Sequence, residues 1–190
     1  MKDVNYQTYS KLMTIKKIIT LPDPFLRTKA IPVTKVTKEI RQLLDDMLET
    51  MYVANGVGLA STQIKDNRRL IVMDCGKENE NKLVQNEKEL VPYPIKMINP
   101  KLTFKSSDLI EREEGCLSIP GHQAKIKRPR LIKVRYLDEN GIKRELETDG
   151  LLAACIQHEI DHLNGILFID YLSRLRKEII VKKITKEQNN

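Results

Sequence analysis

The sequence predicts an α+β domain: mostly antiparallel sheets around a central helix, with an N-terminal helix and a C-terminal helix. Three observations point there. Short β-like runs fill the middle of the chain, and the helical periodicities stand apart instead of alternating regularly with strands. One turn, Asp138-Glu139-Asn140-Gly141, suits an antiparallel hairpin because Asn-Gly accepts positive φ. The 190 residues, 41% hydrophobic and 31% charged, suit one globular unit. The expected division is an N-terminal extension, 1–13, followed by one domain, 14–190.

The extension lacks a folding pattern, and the first patterned segment is Ile15-Lys16-Lys17-Ile18-Ile19. Leu21-Pro22-Asp23-Pro24 reads as a turn. From Thr37 to Val53, the positions Ile40, Leu43, Leu44, Met47, Leu48 and Met51 recur at three- and four-residue spacings, which marks an amphipathic helix. After a glycine-containing loop, Asn55 to Gln63, strands are expected at Arg69–Asp74, Lys96–Asn99, Leu102–Phe104, Leu131–Leu137 and Ile142–Glu147. The polar stretch Lys77–Glu89 reads as an exposed loop. A second helix is announced by the capping pair Thr148-Asp149 and closed by Asn164-Gly165. A third, basic helix is expected from Tyr171 to about Lys186.

Composition excludes several classes. No apolar stretch approaches the ~20 residues that span a bilayer, and the start is polar where a signal peptide would be apolar. Three cysteines, Cys75, Cys116 and Cys155, argue against a disulfide framework and for a reducing compartment, so the cytoplasm is the expected location. The net charge is +7, with basic residues gathered between His122 and Arg135 and again after Tyr171. Such patches suit a polyanion such as RNA, although a solvated strand face and helix face account for them equally. An RNA-binding module would lack a stacking platform, since aromatics are 5% of the chain and tryptophan is absent.

The most informative run is His158-Glu159-Ile160-Asp161-His162. Four residues turn a helix by ~400°, so both histidines leave one face about a turn apart, the spacing that holds one metal ion. Glu159 stands beside them, within reach of an activated water. Leu152, Ile156, Ile160 and Leu163 form an apolar row for the core and leave Leu151, Cys155, His158 and His162 on a neighbouring stripe. Catalytic metal sites generally take three protein ligands. Spacing leaves three candidates for the third: Glu178 as in a zinc endopeptidase, Cys155 on the same helix, and Cys116 in the loop-like Glu113-Glu114-Gly115-Cys116-Leu117-Ser118.

Three segments together resemble the peptide deformylase family: Gly56-Val57-Gly58-Leu59-Ala60-Ser61-Thr62-Gln63, Glu114-Gly115-Cys116-Leu117-Ser118, and Gln157-His158-Glu159-Ile160-Asp161-His162-Leu163. They stand in the family's order, flanked by Pro22-Asp23-Pro24-Phe25-Leu26-Arg27, Ile119-Pro120-Gly121 and Arg128-Pro129. Ser61 departs from the alanine usual in the family, and the first twelve residues precede its usual start.

The resemblance implies an amidohydrolase that removes the formyl group from N-formylmethionine of new polypeptides. It implies that Cys116, His158 and His162 bind one divalent ion, iron(II) natively, with zinc, nickel or cobalt able to substitute. Glu159 is then the general base, and the Gln63 amide and the Leu117 backbone N–H are the donors to the developing oxyanion. Val57, Leu151, Ala154 and Cys155 are expected around the methionine side chain, and Gly58 and Gly115 beside the substrate backbone. Glu114 and Asp161 become candidates to orient the histidines, or simply partners of Arg128. A monomer is expected, working near the ribosome, with the basic C-terminal helix facing RNA.

Overall fold

The computed structural model describes residues 13–84 and 87–188, so the expected extension falls almost wholly outside the described residues. Helix α1 spans Lys38–Val53, and the Thr37 hydroxyl caps it by accepting from the Ile40 N–H. Its apolar stripe, Ile40, Leu43, Leu44, Met47 and Met51, is buried as the periodicity predicts. Helix α2 spans Gly150–His162, and helix α3 spans Arg174–Gln188.

Among the described residues nine strands follow in chain order: β1 Gly58–Ala60, β2 Leu70–Met73, β3 Lys77–Val84, β4 Glu87–Val91, β5 Ile95–Lys105, β6 Leu109–Cys116, β7 Ile119–Pro129, β8 Ile132–Leu137 and β9 Lys143–Thr148. They form a five-stranded sheet ordered β1-β2-β5-β8-β9 and two hairpins, β3-β4 and β6-β7, all with antiparallel pairing. In the five-stranded sheet, β2 is buried along its whole length because both faces are covered. Leu70 and Val72 pack with α1, whereas Ile71 and Met73 pack with Ala153, Ile156 and Ile160 of α2. Helix α2 is therefore the centre of the fold, as expected.

Several sequence expectations require correction. Lys77–Glu89 is not a loop: its backbone forms the β3-β4 hairpin. The two strands expected at Lys96–Asn99 and Leu102–Phe104 are one strand, β5, whose register to β8 slips between Ile98 and Lys101 and again between Leu102 and Phe104. Pro100, which has no N–H to give to a ladder, lies at the first slip. Segments read as loops around Gly58 and Cys116 are strands β1 and β6. Charged residues dominate β6 and hide its alternation. Asp149 precedes α2 but makes no side-chain cap bond. The third helix begins at Arg174, after a 3-10 turn at Phe168–Tyr171 that buries Phe168 and Ile169.

The turn that ends α2 is exacting. Gly165 has φ +73, and a Cβ there would strike the Arg27 carbonyl oxygen. The strand portion of the basic patch is also not a free cationic face. Lys133 pairs with Glu147 at 2.7 Å, Arg135 with Glu145, and Lys125 with Glu111 at 3.9 Å. The neutralising acids arrive from neighbouring strands, so a linear count of charge overstates the field.

Candidate metal centre

Helix α2 delivers His158 and His162 one turn apart, with ring centroids 5.0 Å from each other. The end of β6 delivers Cys116, whose Sγ lies 3.1 Å from His162 Nε2. One ligand atom from each of Cys116, His158 and His162 falls within 4.8 Å of the others. This spread suits bonds of about 2.0–2.3 Å to a single ion. A thiol with two imidazoles is a donor set for iron(II), zinc, cobalt or nickel rather than magnesium or calcium.

Of the three candidates for the third ligand, the structure brings only Cys116 to the histidines. Glu178 sits on α3 and accepts from Arg174 Nε at 2.8 Å. The Cys155 Sγ instead donates to the Val57 carbonyl at 3.5 Å.

Behind the ligands stands a charged chain that runs across three elements. His158 Nδ1 bonds Glu114 Oε2 at 2.9 Å, leaving its other ring nitrogen for an ion. Arg128 Nη2 donates to the same Glu114 oxygen at 2.9 Å, and its Nη1 donates to Asp161 Oδ2 at 2.8 Å. Tyr171 adds a hydroxyl donor to Asp161 at 2.8 Å, and its ring lies under the Arg128 guanidinium. Glu114 thus orients a histidine and pairs with Arg128 at once, whereas the Asp161 carboxylate accepts from Arg128 and Tyr171 and, among the described residues, from no histidine. Burial alone would raise the Glu114 carboxyl, but bonds from His158 and Arg128 hold it below the usual carboxylate range. Burial likewise disfavours charge on His158, yet bonds to Cys116 and Glu114 keep its pKa well above the ordinary value. His162 is driven down by burial and by the charge of His158.

Glu159 is different. It is buried, its Oε2 has no partner among the described residues, and burial pushes its pKa up to about 7. A carboxylate left without donors in such a place is poised to take a proton.

Gln63, in a 3-10 turn after β1, is pinned at both ends of its amide. Its Oε1 accepts from the Ala60 N–H at 2.8 Å, and its Nε2 donates to Ser118 Oγ at 3.1 Å and points at Cys116 Sγ at 3.6 Å. Leu117 occupies the turn between β6 and β7, directly after Cys116.

Gln63, Glu114, Cys116, Leu117, His158 and Glu159 share a cleft of about 670 Å³ whose wall also includes Val57, Gly58, Gly115, Leu151, Ala154 and Cys155. Val57 and Leu151 are each 49% exposed, so they belong to the open side of the cleft and not to the core. Gly58 is required by packing: a Cβ would lie 2.7 Å from Cys155 Sγ and press on the Glu159 carboxylate. The sequence reading missed Ser118, which fixes Gln63, and Arg112 and His122, which also line the cleft. A signal existed for Arg112, since it stands in the same period-two row as Glu114 and Cys116.

Comparison with known proteins agrees with this geometry. The sequence model described as polypeptide deformylase matches residues 15–178. Peptide deformylase of Rhizobium meliloti (strain 1021) is 49% identical over 174 residues, covering 92% of this chain and 94% of that protein. Its counterpart in Methylocella silvestris is 50% identical over 174 residues, covering 92% and 85%. Among solved structures, the Ehrlichia chaffeensis peptide deformylase in complex with actinonin superposes with a TM-score of 0.84 at 40% identity, covering 94% of this chain and all (100%) of that one. A Met-Ala-Ser-bound peptide deformylase from Acinetobacter baumannii matches with a TM-score of 0.74 at 31% identity, over 84% and 99%. With the α+β fold, the Cys-His-His cluster and these relatives in agreement, the chain belongs to the polypeptide deformylase family.

Proposed function

We propose that this chain hydrolyses the formyl amide of N-formylmethionyl nascent peptides, releasing formate and a free amine, with one divalent ion held by Cys116, His158 and His162. The observation that carries the reading is the meeting of those three ligand atoms beside the unpartnered Glu159 carboxylate. A bound ion supplies Lewis acidity and brings hydroxide within reach of neutral pH.

The remaining steps belong to side chains. Glu159 accepts a proton from water and passes it to the leaving amine, a task suited to its raised pKa and free Oε2. As the formyl carbon becomes tetrahedral, its oxygen gains charge, and the Gln63 amide and Leu117 N–H donate to it. The bonds from Ala60 and to Ser118 hold that amide in place before the reaction begins, which is the condition for such stabilisation to be effective. Val57, Leu151, Ala154 and Cys155 take the methionine side chain, and the substrate backbone passes Gly58 and Gly115.

Iron(II) is proposed as the native metal, with zinc, nickel or cobalt as substitutes; thiolate and imidazole ligation is compatible with all four. Residues 14–190 act as one catalytic domain and as a monomer in the cytoplasm. Among the described residues no helix is long and apolar enough to cross a membrane. Approach to the ribosome through α3 is supported by Arg176, Lys182, Lys183 and Lys186, which are exposed along the helix.

The test is turnover of formyl-Met-Ala-Ser against acetyl-Met-Ala-Ser by metal-loaded protein, with metal counted in the same sample. Formate release with one equivalent of metal and little acetyl cleavage is expected. Equal cleavage of both peptides would overturn the reading.

A further inference from the structure

On the inner face of the β6-β7 hairpin two arginines live in opposite circumstances. Arg128 is saturated by Glu114 and Asp161. Arg112, two residues before Glu114 in the same row of β6, makes no ion pair among the described residues, and its Nε is shut from solvent without a hydrogen-bond partner. Across the hairpin, His122 Nδ1 lies 2.9 Å from the Pro120 carbonyl oxygen, which can only accept. That nitrogen therefore donates, and Nε2 of the neutral ring is left as an acceptor. It too is buried without a partner. Both side chains line the cleft that contains Cys116 and Glu159.

Stripping a guanidinium Nε–H and an imidazole nitrogen of water without replacing the bonds is unfavourable. Two such atoms in one wall indicate that their complement comes from outside the chain. We propose that Arg112 and His122 read the peptide beyond the methionine, Arg112 taking a carboxylate side chain and His122 Nε2 accepting a peptide N–H. The chain would then favour nascent peptides with Asp or Glu early in their sequence. This rests on the deformylase reading above.

The position follows from strand geometry. Arg112 lies four residues from Cys116 along β6, about 13 Å at 3.3 Å per residue. A peptide extended along that strand with its formyl group at Cys116 brings about its third or fourth residue opposite Arg112. The guanidinium fork matches a carboxylate in two bonds. Glu113, the adjacent acid, also borders the cleft, but it is exposed, so its charge is screened by water and salt while the buried Arg112 Nε is not.

The experiment compares kcat/KM for C-terminally amidated formyl-Met-Ala-Glu-Ala and formyl-Met-Ala-Ala-Glu with their lysine counterparts, using metal-loaded protein. The wild type should favour glutamate at one of these positions by about fivefold, mainly through KM. The ratio should shrink between about 50 mM and about 500 mM salt. Arg112→Gln should bring the ratio near one, and Arg112→Lys should keep part of it. A wild-type ratio at or below one, or a ratio that Arg112→Gln leaves intact, overturns the proposal. If Arg112→Gln does not fold, a wild-type ratio indifferent to salt overturns it. Turnover of formyl-Met-Ala-Ser without any charge preference removes this inference alone, whereas absence of all formyl-peptide turnover removes the deformylase reading with it.

Discussion

A methyl group added at Gly58 would meet Cys155 Sγ and the Glu159 carboxylate. Because a general base displaced by about 1 Å can lose about 100-fold in rate, Gly58→Ala should lower kcat by about that factor while metal content stays at one equivalent. Paired assays of formate release and metal stoichiometry check it. Glu159, the proposed general base, is buried with no partner for Oε2 among the described residues, which costs the metal-free fold stability. Its folded pKa, pushed up to about 7, exceeds the ordinary value of 4.5. The unfolded state therefore ionises first as pH rises, and the cost to the metal-free fold is complete above about 7 and gone below about 4.5. Metal-free Glu159→Gln should accordingly melt at a higher temperature than wild type at pH 8, with the gap closing as pH falls to 4.5. The same substitution should abolish formate release by the loaded protein. At the proposed third ligand, Cys116→Ala should lose the metal and Glu178→Ala should keep it, since Glu178 is held by Arg174 on α3.

At the scale of elements, Arg128 joins β6, β7 and α2 through Glu114 and Asp161, and its side chain is 5% exposed. Removing it leaves, among the described residues, only the Tyr171 hydroxyl to offset Asp161 and only His158 to offset Glu114, two poorly solvated carboxylates. Arg128→Met should cost roughly 3–5 kcal/mol in denaturant unfolding, far more than a surface ion pair. Asp170 performs a similar task at the edge. It receives Arg27, Lys177 and the Leu167 N–H, tying the 3-10 turn before α3 to the N-terminal segment and to α3 itself. Burial would raise its carboxyl, but those bonds hold it below the usual range. The contribution is thus present at neutral pH and lost as pH falls through that depressed value, so wild type and Asp170→Asn should differ in melting temperature at pH 7 and converge in acid. Elements with strong periodicity, α1 and β8 above all, were legible from residues alone. The β3-β4 hairpin and β6 were not, because their strands are written largely in charged and polar residues whose partners lie on the opposite strand.

For the whole molecule, the candidate metal site is a clasp between a hairpin and the central helix: Cys116 and His162 are 46 residues apart in sequence. An ion bound only by the folded state should stabilise it by mass action. At free metal about 1,000 times its dissociation constant this is about 4 kcal/mol, or roughly 10 °C for a domain of this size. Chelation should lower the melting temperature by about that much, and metal readdition should restore it. The same clasp gathers Glu159 from α2 and Gln63 from the turn after β1 around one cleft, so loosening either sheet or helix should be felt in catalysis before the fold is lost.

The sequence by itself determined the α+β class, the helix that carries His158 and His162, and, through three motifs in order, the family. Those are local or compositional properties: helical spacing sets which side chains share a face, and short motifs survive without knowledge of what they touch. Spacing alone left Cys116, Cys155 and Glu178 open as the third ligand and the family motifs pointed to Cys116; only the tertiary structure brought its Sγ beside the histidines, left Glu159 Oε2 without a partner among the described residues, and divided Arg112 from Arg128. Each of these depends on contacts between residues distant in the chain, where burial and neighbouring charge decide whether a titratable group is satisfied, and no linear pattern records that.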